Sequence, residues 1–190
     1  ADVSDMKALP VIMEKTLEHY GRLDILVNNA GICPRCSALE YTEEMWDQII
    51  QLNQKSVFFL SQLAARQFVK QKSRGKIINL ASMMSFLGGF NTAAYTASKS
   101  AVAGLTRVCA SEWGALGINV NALAPGWIKT GLSAALVADT ARYESVKARI
   151  PMGDWGEPDV FKGVAVLLAS SASDYINGAI IPVDGGYLTK

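Results

Sequence analysis

Four short apolar runs, set apart by helix-length segments, constrain this chain most. They are Leu23 to Asn28, Gly75 to Leu80, Ile118 to Leu123, which Pro125-Gly126 stops, and Ala179 to Val183. Each reads as a strand buried on both faces rather than as a half-exposed one. Between and around them the spacing predicts helices over 5–20, ending at Gly21, and from Thr42-Glu43-Glu44 through Trp46, Ile49, Val57, Phe58 and Phe68. Further helices are expected from about Ala93 to Leu116 and from Asp159 to Ser170, with short helices and loops over 131–157. Strands that alternate with helices make βαβ units, so the expected fold is α/β: a doubly wound parallel sheet with helices on both faces.

Composition supports that fold and removes several functions. Half of the 190 residues are apolar and 18% are charged, which argues against disorder and for a sizeable core. The net charge is +1 with no dense Lys/Arg run, so nucleic acid is not an expected partner. Apolar stretches such as Val164 to Ala169 fall short of the ~20 residues that span a bilayer. The N-terminal Ala1-Asp2-Val3-Ser4-Asp5 has no export pattern, so the chain reads as a soluble, cytoplasmic protein without a membrane partner. Cys33-Pro34-Arg35-Cys36 forms one C-x-x-C, but there is no second, and His19 is the only imidazole. A zinc site is hard to assemble from that set, and no metal is expected. The same single histidine, with no G-x-S-x-G turn, excludes a serine hydrolase.

In parallel sheets ligands bind beyond the carboxyl ends of the strands. The polar motifs here lie just past such ends: Asn28-Asn29-Ala30-Gly31, Ser82 and Pro125-Gly126. Tyr95 and Lys99 open the helix that follows Ser82, and a four-residue step puts both on one face. An ammonium beside a phenol favours phenolate and is expected to pull the tyrosine pKa down from about 10. Ser82 can donate a hydrogen bond to a substrate carbonyl or alkoxide. Taken singly each residue has a plainer reading, as a strand-end cap, a turn former or a buried amide.

Together these motifs closely resemble the short-chain dehydrogenase/reductase family, over nearly the whole chain. Leu26-Val27-Asn28-Asn29-Ala30-Gly31 is similar to its N-N-A-G element, and Ser82, Tyr95 and Lys99 to its serine and Y-x-x-x-K. Asn53 is similar to its catalytic asparagine, and Pro125-Gly126-Trp127-Ile128-Lys129-Thr130 to the segment that approaches the nicotinamide. The resemblance implies a Rossmann-like fold and a secondary alcohol interconverted with a ketone. Tyr95 would move the proton and Lys99 would also bond the nicotinamide ribose. Ser82 would bind the substrate oxygen, and Asn53 would hold a water that relays the proton. It implies NAD or NADP as cofactor, held by Asp2, Asn28, Asn29, Ala30, Gly31, Tyr95, Lys99, Pro125, Gly126, Ile128 and Thr130. It also implies a small-molecule alcohol or ketone as partner, and a homodimer or homotetramer built through the two long helices.

The family's glycine-rich pyrophosphate turn is not found in these residues. Asp2-Val3 is similar to the end of the family's third strand. The expectation is therefore that residues 1–190 are the C-terminal portion of a single domain, preceded in a parent by about 50–60 residues of βαβ structure. Leu23 to Asn28 would then be an exposed apolar edge. A non-catalytic, assembly-competent module is the alternative reading of such a piece. Stretches such as Arg149-Ile-Pro-Met-Gly-Asp-Trp-Gly-Glu-Pro158 resemble the branch that works on sugar acids such as gluconate, with 3-oxoacyl reductases the alternative. Arg35, Lys129, Arg142 and Arg149 lie in loops expected around the site. Any of them could receive a carboxylate, although surface cations are the commoner reading.

Overall fold

A computed structural model describes residues 1–189. Four strands form one all-parallel sheet in the order β1 (Ile25–Asn28), β2 (Gly75–Leu80), β3 (Ile118–Pro125), β4 (Ile180–Val183). The helices are α1 (Ala8–Tyr20), α2 (Glu43–Ile50), α3 (Ser56–Gln71), α4 (Ala93–Trp113), α5 (Ala134–Ala138), α6 (Thr140–Lys147) and α7 (Lys162–Ala169). Parallel strands need crossovers, and α3, α4 and the α5–α7 segment supply them. No helix among the described residues is long and apolar enough to cross a membrane.

Alternate strand residues feed the two layers. Ile77 of β2 and Val120 of β3 pack with Ala64, Ala65 and Phe68 of α3 and with Cys109 and Ala110 of α4. Their neighbours Ile78 and Leu123 point the other way, onto Leu168 of α7. Gly75 opens β2 against the Phe68 ring, where any Cβ would lie 2.1 Å from a ring carbon. On the α3/α4 side a polar ladder crosses the sheet. Asn28 Nδ2 donates to Ser61 Oγ at 2.9 Å and to Asn79 Oδ1 at 2.8 Å, and Asn79 Nδ2 donates to Thr106 Oγ1 at 2.9 Å. Asn28 and Asn79 are register partners, so the ladder fixes the alignment of β1 on β2.

Several expected boundaries shift for local reasons. α1 begins at Ala8 after turns capped by the Asp2 and Asp5 carboxylates, and ends at Gly21 in the left-handed region, φ 74°. Thr42 caps α2 by accepting from Met45 N. The long helix expected from Thr42 onward is interrupted by a π turn at Gln51–Lys55. The expected 93–116 and 159–170 helices carry 3₁₀ turns at 114–116 and 158–161, the second opened by Pro158. β1 is an edge strand, and its apolar side chains Ile25 and Val27 are 41% and 52% exposed.

Candidate active site

The carboxyl ends of the strands open into one cavity of about 820 Å³. Asn29 and Gly31 reach its wall from the end of β1, Ser82 from β2, and Pro125 and Gly126 from β3. Tyr95 and Lys99 enter from the first turns of α4, and Ile128 and Thr130 from the segment after β3. Gly126 is required by close approach. A Cβ there would meet Asp184 Cα at 2.5 Å, where β3 passes the end of β4.

Lys99 is buried, and its Nζ donates to the Leu80 carbonyl at 2.6 Å. It lies 5.7 Å above the centre of the Tyr95 ring. Burial lowers the ammonium pKa to about 8. Burial also pushes the Tyr95 phenol up to about 12, against an opposite pull from the Ser82 hydroxyl. The expected lowering of Tyr95 by Lys99 is thus not the dominant effect. Desolvation of both groups outweighs their attraction.

Asn53 is fully buried on the π turn, and its carboxamide clamps the peptide of Ile32. Oδ1 accepts from Ile32 N at 2.9 Å and Nδ2 donates to Ile32 O at 2.8 Å. Nδ2 also faces Ser98 Oγ at 3.3 Å, and Ser98 in turn donates to the Tyr95 carbonyl at 2.7 Å. Both donors of this side chain are engaged, so the carboxamide positions the loop after β1. A π turn embedded in an α-helix often marks a functional site. Here it aims one amide at the loop after β1.

Not every expected residue joins the cavity. Asp2 is exposed, with its carboxylate tied to Ser4 N at 2.8 Å, and Ala30 and Asn28 lie outside the cavity wall. Lys129 pairs with Glu157 at 2.9 Å, so it is a structural cation. Residues that the motifs did not single out complete the wall, among them Met84, Phe90, Phe161 and Tyr187. Tyr187 enters only because the chain turns back after β4 through Gly185 and Gly186, at φ 63° and 84°. The following aromatic was the one sequence signal for it. The wall formed by Asn29, Gly31, Pro125, Gly126 and Thr130 offers backbone and short side chains beside Lys99. That chemistry suits the amide and ribose of a nicotinamide nucleotide.

Comparison with known proteins agrees with this geometry. The family described as Enoyl-(Acyl carrier protein) reductase matches residues 1–188. A 2-dehydro-3-deoxy-D-gluconate 5-dehydrogenase of Dickeya dadantii is 54% identical over 190 residues, all of this chain and 75% of that protein. A gluconate 5-dehydrogenase of Burkholderia cenocepacia, solved in complex with NADP and tartrate, superposes with a TM-score of 0.96 at 37% identity. That match covers 100% of this chain and 74% of the other. A gluconate 5-dehydrogenase structure from Beutenbergia cavernae with bound NADP gives a TM-score of 0.95 at 44% identity, over 100% of this chain and 76% of the other. With strand order, strand-end motifs and relatives in agreement, the chain belongs to the short-chain dehydrogenase/reductase family of oxidoreductases.

Proposed function

We propose that the cavity interconverts a secondary alcohol and a ketone on a sugar acid or polyol, using NAD or NADP. The observation that carries this reading is the convergence of Ser82, Tyr95 and Lys99 on one cavity at the carboxyl ends of the strands. The substrate class is supported by relatives named for gluconate and 2-dehydro-3-deoxy-D-gluconate, and by the tartrate, a hydroxy acid, bound to one of them. A nicotinamide held in this cavity would supply or accept the hydride.

The chain's own residues do the rest. The Ser82 hydroxyl donates to the substrate oxygen and orients it toward Tyr95. In ketone reduction the Tyr95 phenol gives its proton to that oxygen, and in alcohol oxidation the phenolate takes the proton back. Lys99 keeps N–H groups free beyond its bond to Leu80, and these would be the donors offered to the ribose hydroxyls of a nicotinamide nucleotide. Asn53 holds the loop after β1, so that Gly31 stays beside Lys99 Nζ, where a Cβ would lie at 3.7 Å. Association into dimers or tetramers belongs to the same reading. Trp46, Phe59, Val69 and Val108 on α2, α3 and α4 remain exposed and apolar.

A panel of sugar acids, polyols and 3-oxoacyl esters, each offered with NAD and NADP, tests the assignment. Turnover confined to sugar acids or polyols supports it. A preference for the acyl esters would replace it with an acyl reductase.

A further inference from the structure

One wall of the cavity is cationic, and the proton and hydride transfers do not use it. Arg142, Ser145 and Val146 of α6 and Arg149 just beyond it line the cavity at i, i+3, i+4 and i+7 spacing, the spacing of a single helix face. Both arginines are exposed, which sets them at the mouth. Neither takes part in an ion pair among the described residues, whereas Lys129, Lys162 and Lys76 each have a carboxylate partner. No aspartate or glutamate contributes to the described wall. A cavity with four cationic side chains and no acid selects for an anion.

Two further observations locate where that anion sits. The Arg149 guanidinium lies 4.7 Å from the centre of the Tyr187 ring, a cation–π contact that places it against the cavity wall. Trp127 Nε1 is the only buried side-chain donor or acceptor without a partner among the described residues, and Trp127 packs against Tyr187 with ring centres 6.2 Å apart. Buried donors are almost always satisfied, so this one calls for an oxygen that the chain does not supply. Val146 and Tyr187 also pack with Met83, the residue after Ser82. The cluster therefore belongs to the substrate-oxygen side of the cavity, away from the Gly31 loop.

We propose that Arg149, assisted by Arg142 and the Trp127 indole N–H, receives the substrate carboxylate and sets the preference for sugar acids over neutral polyols. This rests on the dehydrogenase reading for the identity of the ligand, but its test is a binding ratio that needs no turnover. D-gluconate and D-glucitol share a carbon skeleton and differ at the carboxylate. Their dissociation constants are read from indole fluorescence or calorimetry on the full chain, for wild type, Arg149→Met, Arg149→Lys and Arg142→Met, with circular dichroism as the check on folding.

In the wild type gluconate binds more tightly than glucitol. Arg149→Met lowers that ratio at least about tenfold, as the loss of a charge-assisted pair implies. Arg149→Lys restores part of it, and Arg142→Met lowers it to a lesser degree. If turnover is present, the loss falls on KM rather than kcat. An unchanged ratio in Arg149→Met overturns the proposal, as does a wild type that binds the two equally. So does a variant that weakens NADP binding while leaving gluconate alone, since the arginine then serves a cofactor phosphate. Sugar-acid binding that depends on Arg149, with NAD or NADP bound but no redox change of the sugar acid, would leave this inference standing and count against the proposed reaction.

Discussion

Tyr95 and Lys99 are each displaced from their ordinary titration by the same cause, burial, and the two displacements have opposite consequences. With the phenol pushed up to about 12, Tyr95 carries its proton through the neutral range, as donation to a ketone in the proposed reaction requires. Alcohol oxidation needs the phenolate. Its kcat/KM is therefore expected to rise with pH through the alkaline range, while that of ketone reduction stays level and then falls. Lys99 adds a stability signature. Its folded pKa near 8 lies below the ordinary 10.5, so the unfolded chain binds more protons between those values and stability rises with pH across that window. Replacing Lys99 with Met should remove that rise, a differential of about 3 kcal/mol or less, measurable by urea unfolding of both proteins at pH 7.5 and pH 10. Identical pH slopes would mean that the ammonium is not desolvated. Ser82, Tyr95 and Lys99 were legible in the sequence because strand-end position and a four-residue step are local facts. Arg149 was not separable from Lys129 in the same way. What distinguishes them is Tyr187 stacked on one and Glu157 paired with the other, and only the folded chain brings those partners in.

Among the elements, the strands were the easiest to read. β2 and β3 are covered on both sides by α3 and α4 and by α7, which is why their apolar residues face both layers and their few polar ones, such as Asn79 and Asn121, are buried and hydrogen-bonded. The π turn at Gln51–Lys55 left no local trace. It presents Asn53 to the peptide of Ile32, in a loop more than twenty positions earlier in the chain. The ladder Asn28–Asn79–Thr106 was equally hidden, since alternate asparagines in strands read as turn formers until their partners are known. Asn79→Ala takes an acceptor from Asn28 and a donor from Thr106, and is expected to cost about 1–3 kcal/mol in chemical denaturation. β1 behaves differently from its neighbours. Ile25 projects from an edge strand with 41% of its surface exposed, which makes it a template for pairing with other chains. Ile25→Lys should change stability by no more than about 0.5 kcal/mol and reduce light scattering at high protein concentration. Undiminished scattering would place the self-association elsewhere.

For the molecule as a whole, the sheet makes the site by bringing four strand ends to one rim. Asn29 and Gly31, Ser82, Gly126 and Tyr187 come from widely separated parts of the sequence and meet around a single cavity. The sequence carried the strand-end motifs and hence the chemistry. The apolar and cationic wall that chooses a substrate came from the α5–α6 segment and the C-terminal turn, whose places depend on packing around Trp127, Trp155 and Tyr187. In the proposed reaction Tyr95 is the group that exchanges the proton. Nicotinamide absorbance with a turned-over sugar acid, comparing wild type with Tyr95→Phe while gluconate binding is followed separately, tests that claim most directly. The expected result is a rate at least about 10²-fold lower in Tyr95→Phe with sugar-acid affinity retained. A variant that turns over at close to the wild-type rate would contradict the assignment.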